Sequence, residues 1–334
     1  MILNKSEVTN ILDKLASEYR VIAPVEKNGM VEFAAIQKGE EAKLDYANSK
    51  KPGKEILFPQ SEELFNYTVD AEGLRMEDKV DSQASIIFGM RPCDVKSWVL
   101  LDNVFKNDQY TDVYYLTRRA NSLVVGLGCN EPASTCFCSS VACGPFAKEG
   151  SDIFLTDIGE AYVVEGISEK GKELLAKLGL SEAGAEATAA AAKLQEEVKA
   201  DGTINIEGMA EKLSGMFEHP YWDSLHEKCI GCGACTYLCP TCHCFDIADE
   251  ATDCDGCRVR NWDACMFPLF TLHGSGHNPR PTGKARWRQR LMHKFNYFVE
   301  RYNATACVGC GRCIKNCPVN LDIRQALADI QALD

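Results

Sequence analysis

CIGCGACTYLCP, residues 229–240, is answered by CVGCGRCIKNCP, residues 307–318. Each copy has three cysteines separated by two residues, a fourth after three more, and then a proline. A triplet at that spacing can wrap one face of a four-iron cubane, while the cysteine before the proline points toward the cluster of the other loop. Gly231, Gly233, Gly309 and Gly311 supply the backbone angles that such loops require and leave amides free to face cluster sulfides. The spacing therefore assigns a first 4Fe-4S cluster to Cys229, Cys232, Cys235 and Cys317. A second goes to Cys307, Cys310, Cys313 and Cys239. Zinc also uses Cys-x-x-Cys pairs, but it takes two pairs per metal and gives no reason to repeat a triplet with a distal Cys-Pro.

The rest of the composition agrees with metal chemistry in a reducing compartment. Eighteen cysteines in 334 residues would suit a disulfide scaffold only in a much shorter secreted chain. The N-terminal stretch MILNKSEVTNILDKLASEYR lacks the basic, apolar and cleavage regions of a signal peptide, so a cytoplasmic location with reduced thiols is expected. No apolar run is long enough for a membrane span. A net charge of -12 argues against nucleic acid as a general partner. The charge is uneven, however: six Lys or Arg and no Asp or Glu fall between Ala264 and Val299. That segment admits three readings: charge compensation for anionic clusters, a solvated docking face, or a nucleic-acid patch with Trp287 as a stacking platform.

Upstream, the apolar runs at 86–89, 123–126 and 161–164 read as strands, and 95–105 repeats apolar residues at helical spacing. This strand-helix-strand unit predicts an α/β domain over residues 1–167. Residues 168–217, including the Ala-rich stretch 183–192, read as a helical connection. Residues 218–334 then form a ferredoxin-like domain of the bacterial two-cluster type, mainly α-helical, with a large insertion between the two motifs.

Cys93 lies just past the first predicted strand and Cys129 just past the second; in a parallel sheet both loops leave at the same edge. Cys136 and Cys138 follow in the same connection, so these four are candidates for a third 4Fe-4S cluster, with Cys143 a substitute ligand and buried free thiols the alternative. Cys242, Cys244, Cys254, Cys257 and Cys265 exceed what two clusters need and form a candidate additional cluster or zinc site, or a set of packing thiols. His226, His243, His273, His277 and His293 lie near the motifs or the basic segment and are expected to pack or support rather than to catalyse. Without a Gly-x-Gly-x-x-Gly or Walker loop, no FAD or NAD site of the chain's own is expected.

Several stretches together resemble one family. MRPCDV (90–95), TCFCS (135–139), CPTCHCFD (239–246), WDAC (262–265), GHNPR (276–280), MHK (292–294) and CVGCGRC (307–313) are similar to the beta subunits of cytoplasmic NiFe sulfhydrogenases and to the related iron-sulfur subunit of anaerobic sulfite reductase. Cys254 and Cys257 fall outside those motifs. The resemblance implies an electron-transfer subunit of an anaerobic, heteromeric oxidoreductase. It would link a flavin- and NAD(P)-binding reductase subunit to a catalytic metalloenzyme subunit of hydrogenase, sulfite reductase or related type. No catalytic residue of its own is expected. The rival readings are a cluster-based redox sensor or nucleic-acid-binding protein, and a stand-alone ferredoxin with an accessory domain.

Overall fold

The computed structural model describes residues 1–200 and 202–333. Its larger sheet has seven strands: β1 (Ile2–Asn4), β2 (Arg20–Lys27), β3 (Met30–Ala35), β6 (Ser85–Met90), β7 (Ser122–Leu127), β8 (Ile153–Asp157) and β9 (Ala161–Gly166). The smaller has four: β4 (Ser61–Asp70), β5 (Gly73–Asp78), β10 (Phe245–Thr252) and β11 (Asp255–Trp262). The larger sheet is ordered β1-β9-β8-β7-β6-β2-β3, with β2, β6, β7 and β8 parallel and the outer pairings antiparallel.

The three apolar runs are strands because each can bury both faces. β6 is buried along its whole length. Ile86 and Phe88 face a core formed with Leu12, Leu15 and Leu174, whereas Ile87 and Met90 face Trp98, Leu101 and Phe105. Opposite faces at Ile86, Ile87 and Phe88 are what a central strand covered by helices on both sides demands, and an irregularity between Phe88 and Met90 turns Met90 to the Ile87 side. The predicted helix runs over Pro92–Phe105, with proline in its first turn where a missing N–H costs nothing. The connection expected to be helical contains Glu169–Leu178, Ala185–Glu197 and Met209–Ser214.

The smaller sheet is ordered β10-β11-β4-β5 and is antiparallel throughout. It draws strands from both sides of residue 218: β11, from the stretch between the two cysteine motifs, pairs with β4 from Ser61↔Asn261 to Thr68↔Asp255. That stretch is thus a β-hairpin before it becomes helical at Gly283–Met292. The pairing is riveted by buried charge. Arg260 on β11 donates to Glu62 on β4 at 2.8 Å and Arg118 reaches the same carboxylate at 2.7 Å.

A further core gathers Trp222, Met266, Trp287, Leu291, Phe295, Leu327 and Ile330 around the motif cysteines. The helix from Gly283 does not stay regular. Five residues, His293–Tyr297, form a π-turn before α-helix resumes at Phe298–Tyr302. Such insertions recur at functional sites because they rotate the next side chains onto a face they would otherwise miss. Among the described residues no helix is long and apolar enough to cross a membrane.

Candidate iron-sulfur sites

Each motif is an extended loop closed by one helical turn, Ala234–Tyr237 in the first and Arg312–Lys315 in the second. Positive φ at Gly231, Gly233, Gly309 and Gly311 bends the loops inward. The amides of Gly231 and Gly309 donate to Cys229 Sγ at 3.4 Å and Cys307 Sγ at 3.5 Å.

The two loops enclose two cavities. Cys229, Cys232, Cys235 and Cys317 line the first, together with Trp287 and Arg290. Cys307, Cys310, Cys313 and Cys239 line the second, together with Phe137, Arg290 and Lys294. In each, three cysteines of one motif meet the distal cysteine of the other. Cys313 borders the first cavity as well as the second, and Cys232 is exposed, so the first cavity opens to solvent.

Buried cations line this seam. Lys54 Nζ donates to the Cys242 carbonyl at 2.7 Å and sits 3.9 Å above the Trp262 ring. Arg290 donates to the Cys235 carbonyl at 2.9 Å, lies 3.8 Å from Cys242 Sγ, and has an Nε with no partner. Lys294 contacts Cys239 Sγ at 3.2 Å, Thr241 Oγ1 at 3.1 Å and the Ala306 carbonyl at 2.8 Å. None of these partners is a carboxylate. Unpaired cations in an apolar interior cost several kcal/mol each, so an anion belongs among them. A cubane held by four thiolates is anionic and fits both the donor set and the charge.

The thiols respond to this setting. Cys239 is held well below the ordinary thiol range, by the Cys242 hydrogen bond first and, against burial, by Lys294 and Arg290. Burial pushes Cys307 up to about 11. Burial also lowers Lys54, to about 8, despite the sulfurs nearby. For Lys294 the neighbouring Cys239 and Cys242 outweigh burial, and the ammonium is held above its usual value.

The N-terminal cysteines meet the second motif directly. Cys93 packs with Cys310, Leu100 and Phe298. Cys136 and Cys138 pack with Ala133, Cys143 and Ala200. Burial first, then Cys143, Cys136 and Cys129, push the Cys138 thiol up to about 12. Burial likewise raises Cys143 to about 11. Cys143 is therefore a member of this group, a placement its sequence position did not rank. Cys136 Sγ lies 3.7 Å from the Cys310 carbonyl, and the Phe137 amide donates to Gly309 at 2.8 Å.

The contact is so close that a side chain at Gly309 would meet the Cys138 nitrogen at 2.4 Å, and one at Gly311 would meet Thr135 Oγ1 at 2.4 Å. Gly231, at the equivalent place in the first motif, has only the Met266 carbonyl at 3.8 Å. All three have positive φ, so the difference is the neighbour. Gly231→Ala is expected to cost about 1 kcal/mol, the left-handed backbone alone. Gly309→Ala is expected to cost at least about 3 kcal/mol, because backbone atoms must move as well. Anaerobic urea unfolding of both variants checks this; equal losses would mean that the loops do not touch.

A buried ion pair completes the interlock. Arg312 of the second motif donates to Asp94 at 2.6 Å and 2.9 Å and to the Ser49 carbonyl at 3.0 Å. Asp94 follows Cys93 in the MRPCDV stretch, so the residue beside one candidate ligand holds the residue beside another, Cys313.

The five remaining cysteines do not share a site. Cys242 lies against Cys239. Cys244 pairs with Cys265, whose amide and thiol both face it. Cys254 is exposed at the tip of the β10-β11 hairpin and Cys257 lies on β11, because the hairpin carries both out onto the smaller sheet. Among the described residues no three His, Cys, Asp or Glu side chains are grouped for a single metal ion.

His243 and His293 form a buried edge-to-face pair with centroids 5.3 Å apart, and burial lowers them to about 4 and about 3. They are neutral packing groups beside Lys294. His226 Nδ1 faces the Trp222 carbonyl at 3.2 Å, and His273 and His277 meet edge to face in an exposed loop. The basic segment divides: Arg290 and Lys294 turn inward, while Lys284 pairs with Asp223 and Arg288 with Glu218. Lys54 escaped the sequence reading, since an isolated lysine within a short 3-10 turn carries no local signal.

Two motif cavities, their cysteines and their buried cations define a protein of the iron-sulfur, electron-transport class. A family model described as a 4Fe-4S dicluster domain matches residues 228–321. Over 335 aligned residues the chain is 31% identical to sulfhydrogenase 2 subunit beta of Pyrococcus furiosus, covering 98% of this chain and 97% of that protein. The chain belongs to the sulfhydrogenase beta-subunit family. No solved structure matches it.

Proposed function

We propose that this chain is the electron-transfer component of an anaerobic, cytoplasmic, multi-subunit oxidoreductase. It would relay single electrons between a reductase partner that binds flavin and NAD(P) and a catalytic partner of hydrogenase, sulfite reductase or related type. Cys229, Cys232, Cys235 and Cys317 would hold the first cluster, and Cys307, Cys310, Cys313 and Cys239 the second, as in bacterial two-cluster ferredoxins. Cys93, Cys129, Cys136 and Cys138 would hold a third, with Cys143 as an alternate ligand.

One observation carries the reading: the three cysteine groups stand in a row. The first cavity reaches solvent at Cys232, shares Arg290 and Cys313 with the second, and the second touches the N-terminal group through Cys310. Bound cubanes supply reversible one-electron chemistry. The protein's own part is to hold them in line, exclude water from the middle one and balance their charge with Arg290 and Lys294. The nucleic-acid or sensor alternative has less support, because two of the six cations in the basic segment point into the cluster seam and two more are paired with carboxylates.

The expected result is that NADH or NADPH bleaches the clusters of the reconstituted chain only when its native flavoprotein partner is added. Steady nicotinamide oxidation by the chain alone with an artificial acceptor would overturn the relay reading, as would tight salt-sensitive nucleic-acid binding.

A further inference from the structure

The second cavity presents an energetic problem that the first does not. None of the residues that line it is exposed, whereas the first has Ile230 and the ligand Cys232 at the surface. Adding an electron to an anionic cluster costs more where water is kept away, so the cluster among buried ligands would otherwise be the harder to reduce.

We propose that Lys294 is the residue that offsets this cost, raising the reduction potential of the second cluster through its contact with Cys239; this rests on Cys239 being a ligand of that cluster. Three observations support it. The first is saturation. Lys294 is 4% exposed, and its three ammonium protons have three targets: Cys239 Sγ, Thr241 Oγ1 and the Ala306 carbonyl. The charge is therefore fixed in place.

The second is the absence of a substitute. Thr241 Oγ1 lies 3.1 Å from the same sulfur, but it donates its only proton to the Ala306 carbonyl at 2.7 Å. The cation next to Cys239 Sγ is the lysine. The third is asymmetry. Arg290 borders both cavities, so its field acts on both; Lys294 borders only the second. The π-turn puts it there, and the Ala306 amide in turn donates to the Lys294 carbonyl at 2.9 Å, tying the turn to the residue before Cys307.

The test uses the full chain, reconstituted anaerobically, counted for iron and titrated with a redox mediator series under EPR detection. In Lys294→Met the reduction equilibrium constant of the second cluster is expected to fall at least tenfold, about 59 mV for a one-electron couple. The first cluster is expected to shift by much less. Lys294→Gln is expected to move the same cluster in the same direction, and Lys294→Arg to stay within threefold of the parent. Unchanged potentials in iron-replete Met or Gln variants would overturn the proposal, and so would equal shifts in both clusters. Loss of the second cluster from all three variants would also overturn it, assigning Lys294 to folding alone. The ligand reading is judged separately: full iron retained in Cys239→Ala would refute that reading whatever Lys294 does.

Discussion

Alanine at both Cys239 and Cys310 is expected to remove no more iron than alanine at Cys310 alone, about four atoms per chain. Cys239→Ala combined with Cys232→Ala is expected to remove about eight. The asymmetry follows from the cavities: Cys239 belongs to the first motif by sequence but lines the cavity of the second. If each motif kept its own fourth cysteine, the two double variants would exchange results. The same analysis reads out the N-terminal group. The parent chain is expected to hold about twelve irons and Cys136→Ala/Cys138→Ala about eight. A parent that holds only eight would make the N-terminal group a set of packing thiols.

Asp94→Ala is expected to destabilise the protein by about 3–5 kcal/mol, more than any surface pair in the molecule could account for. The side chains of Arg312 and Asp94 are 3% and 0% exposed, so the variant leaves a guanidinium in the interior facing no carboxylate. By contrast, Asp223→Ala, which breaks the Lys284 pair, is expected to cost less than about 1 kcal/mol, because that carboxylate is 60% exposed and screened by solvent. Anaerobic urea denaturation followed by circular dichroism checks both. Arg312→Met added to Asp94→Ala is expected to recover much of the loss, since it removes the stranded charge. A single-variant loss below about 1 kcal/mol would mean that water reaches Arg312 and that the two cysteine loops are not clamped together.

What the sequence disclosed depended on how local each signal is. Of the four parallel strands, β6 and β7 were legible because a strand buried on both faces leaves a short apolar run between turn residues, as Ile86–Gly89 does; β2 and β8 were not read. The motif cysteines were legible because ligand spacing within a loop is itself the chemistry. The β4-β11 pairing was not, since Ser61 and Asn261 lie far apart in sequence and neither strand encodes its partner. The inward turn of Arg290 and Lys294 was half legible. They stand four apart on one helical face, as do Lys284 and Arg288 on another, but only packing reveals which face meets the cysteines. Lys54 depends on folded neighbours and left no trace in the sequence, and Cys143 was legible only as a substitute ligand.

The hairpin between the two motifs also sets a schedule for making the protein. When β4 leaves the ribosome it can pair at once with β5, but its other edge must wait for β11, roughly 190 residues later in synthesis. At about 5–20 residues per second that interval is on the order of 10–40 s. Throughout it the nascent chain displays an open strand edge, with Glu62 not yet met by Arg260, a surface that invites pairing with other chains. The second cysteine motif emerges only after that edge is closed, so the order of synthesis finishes the sheet before the last cluster ligands exist.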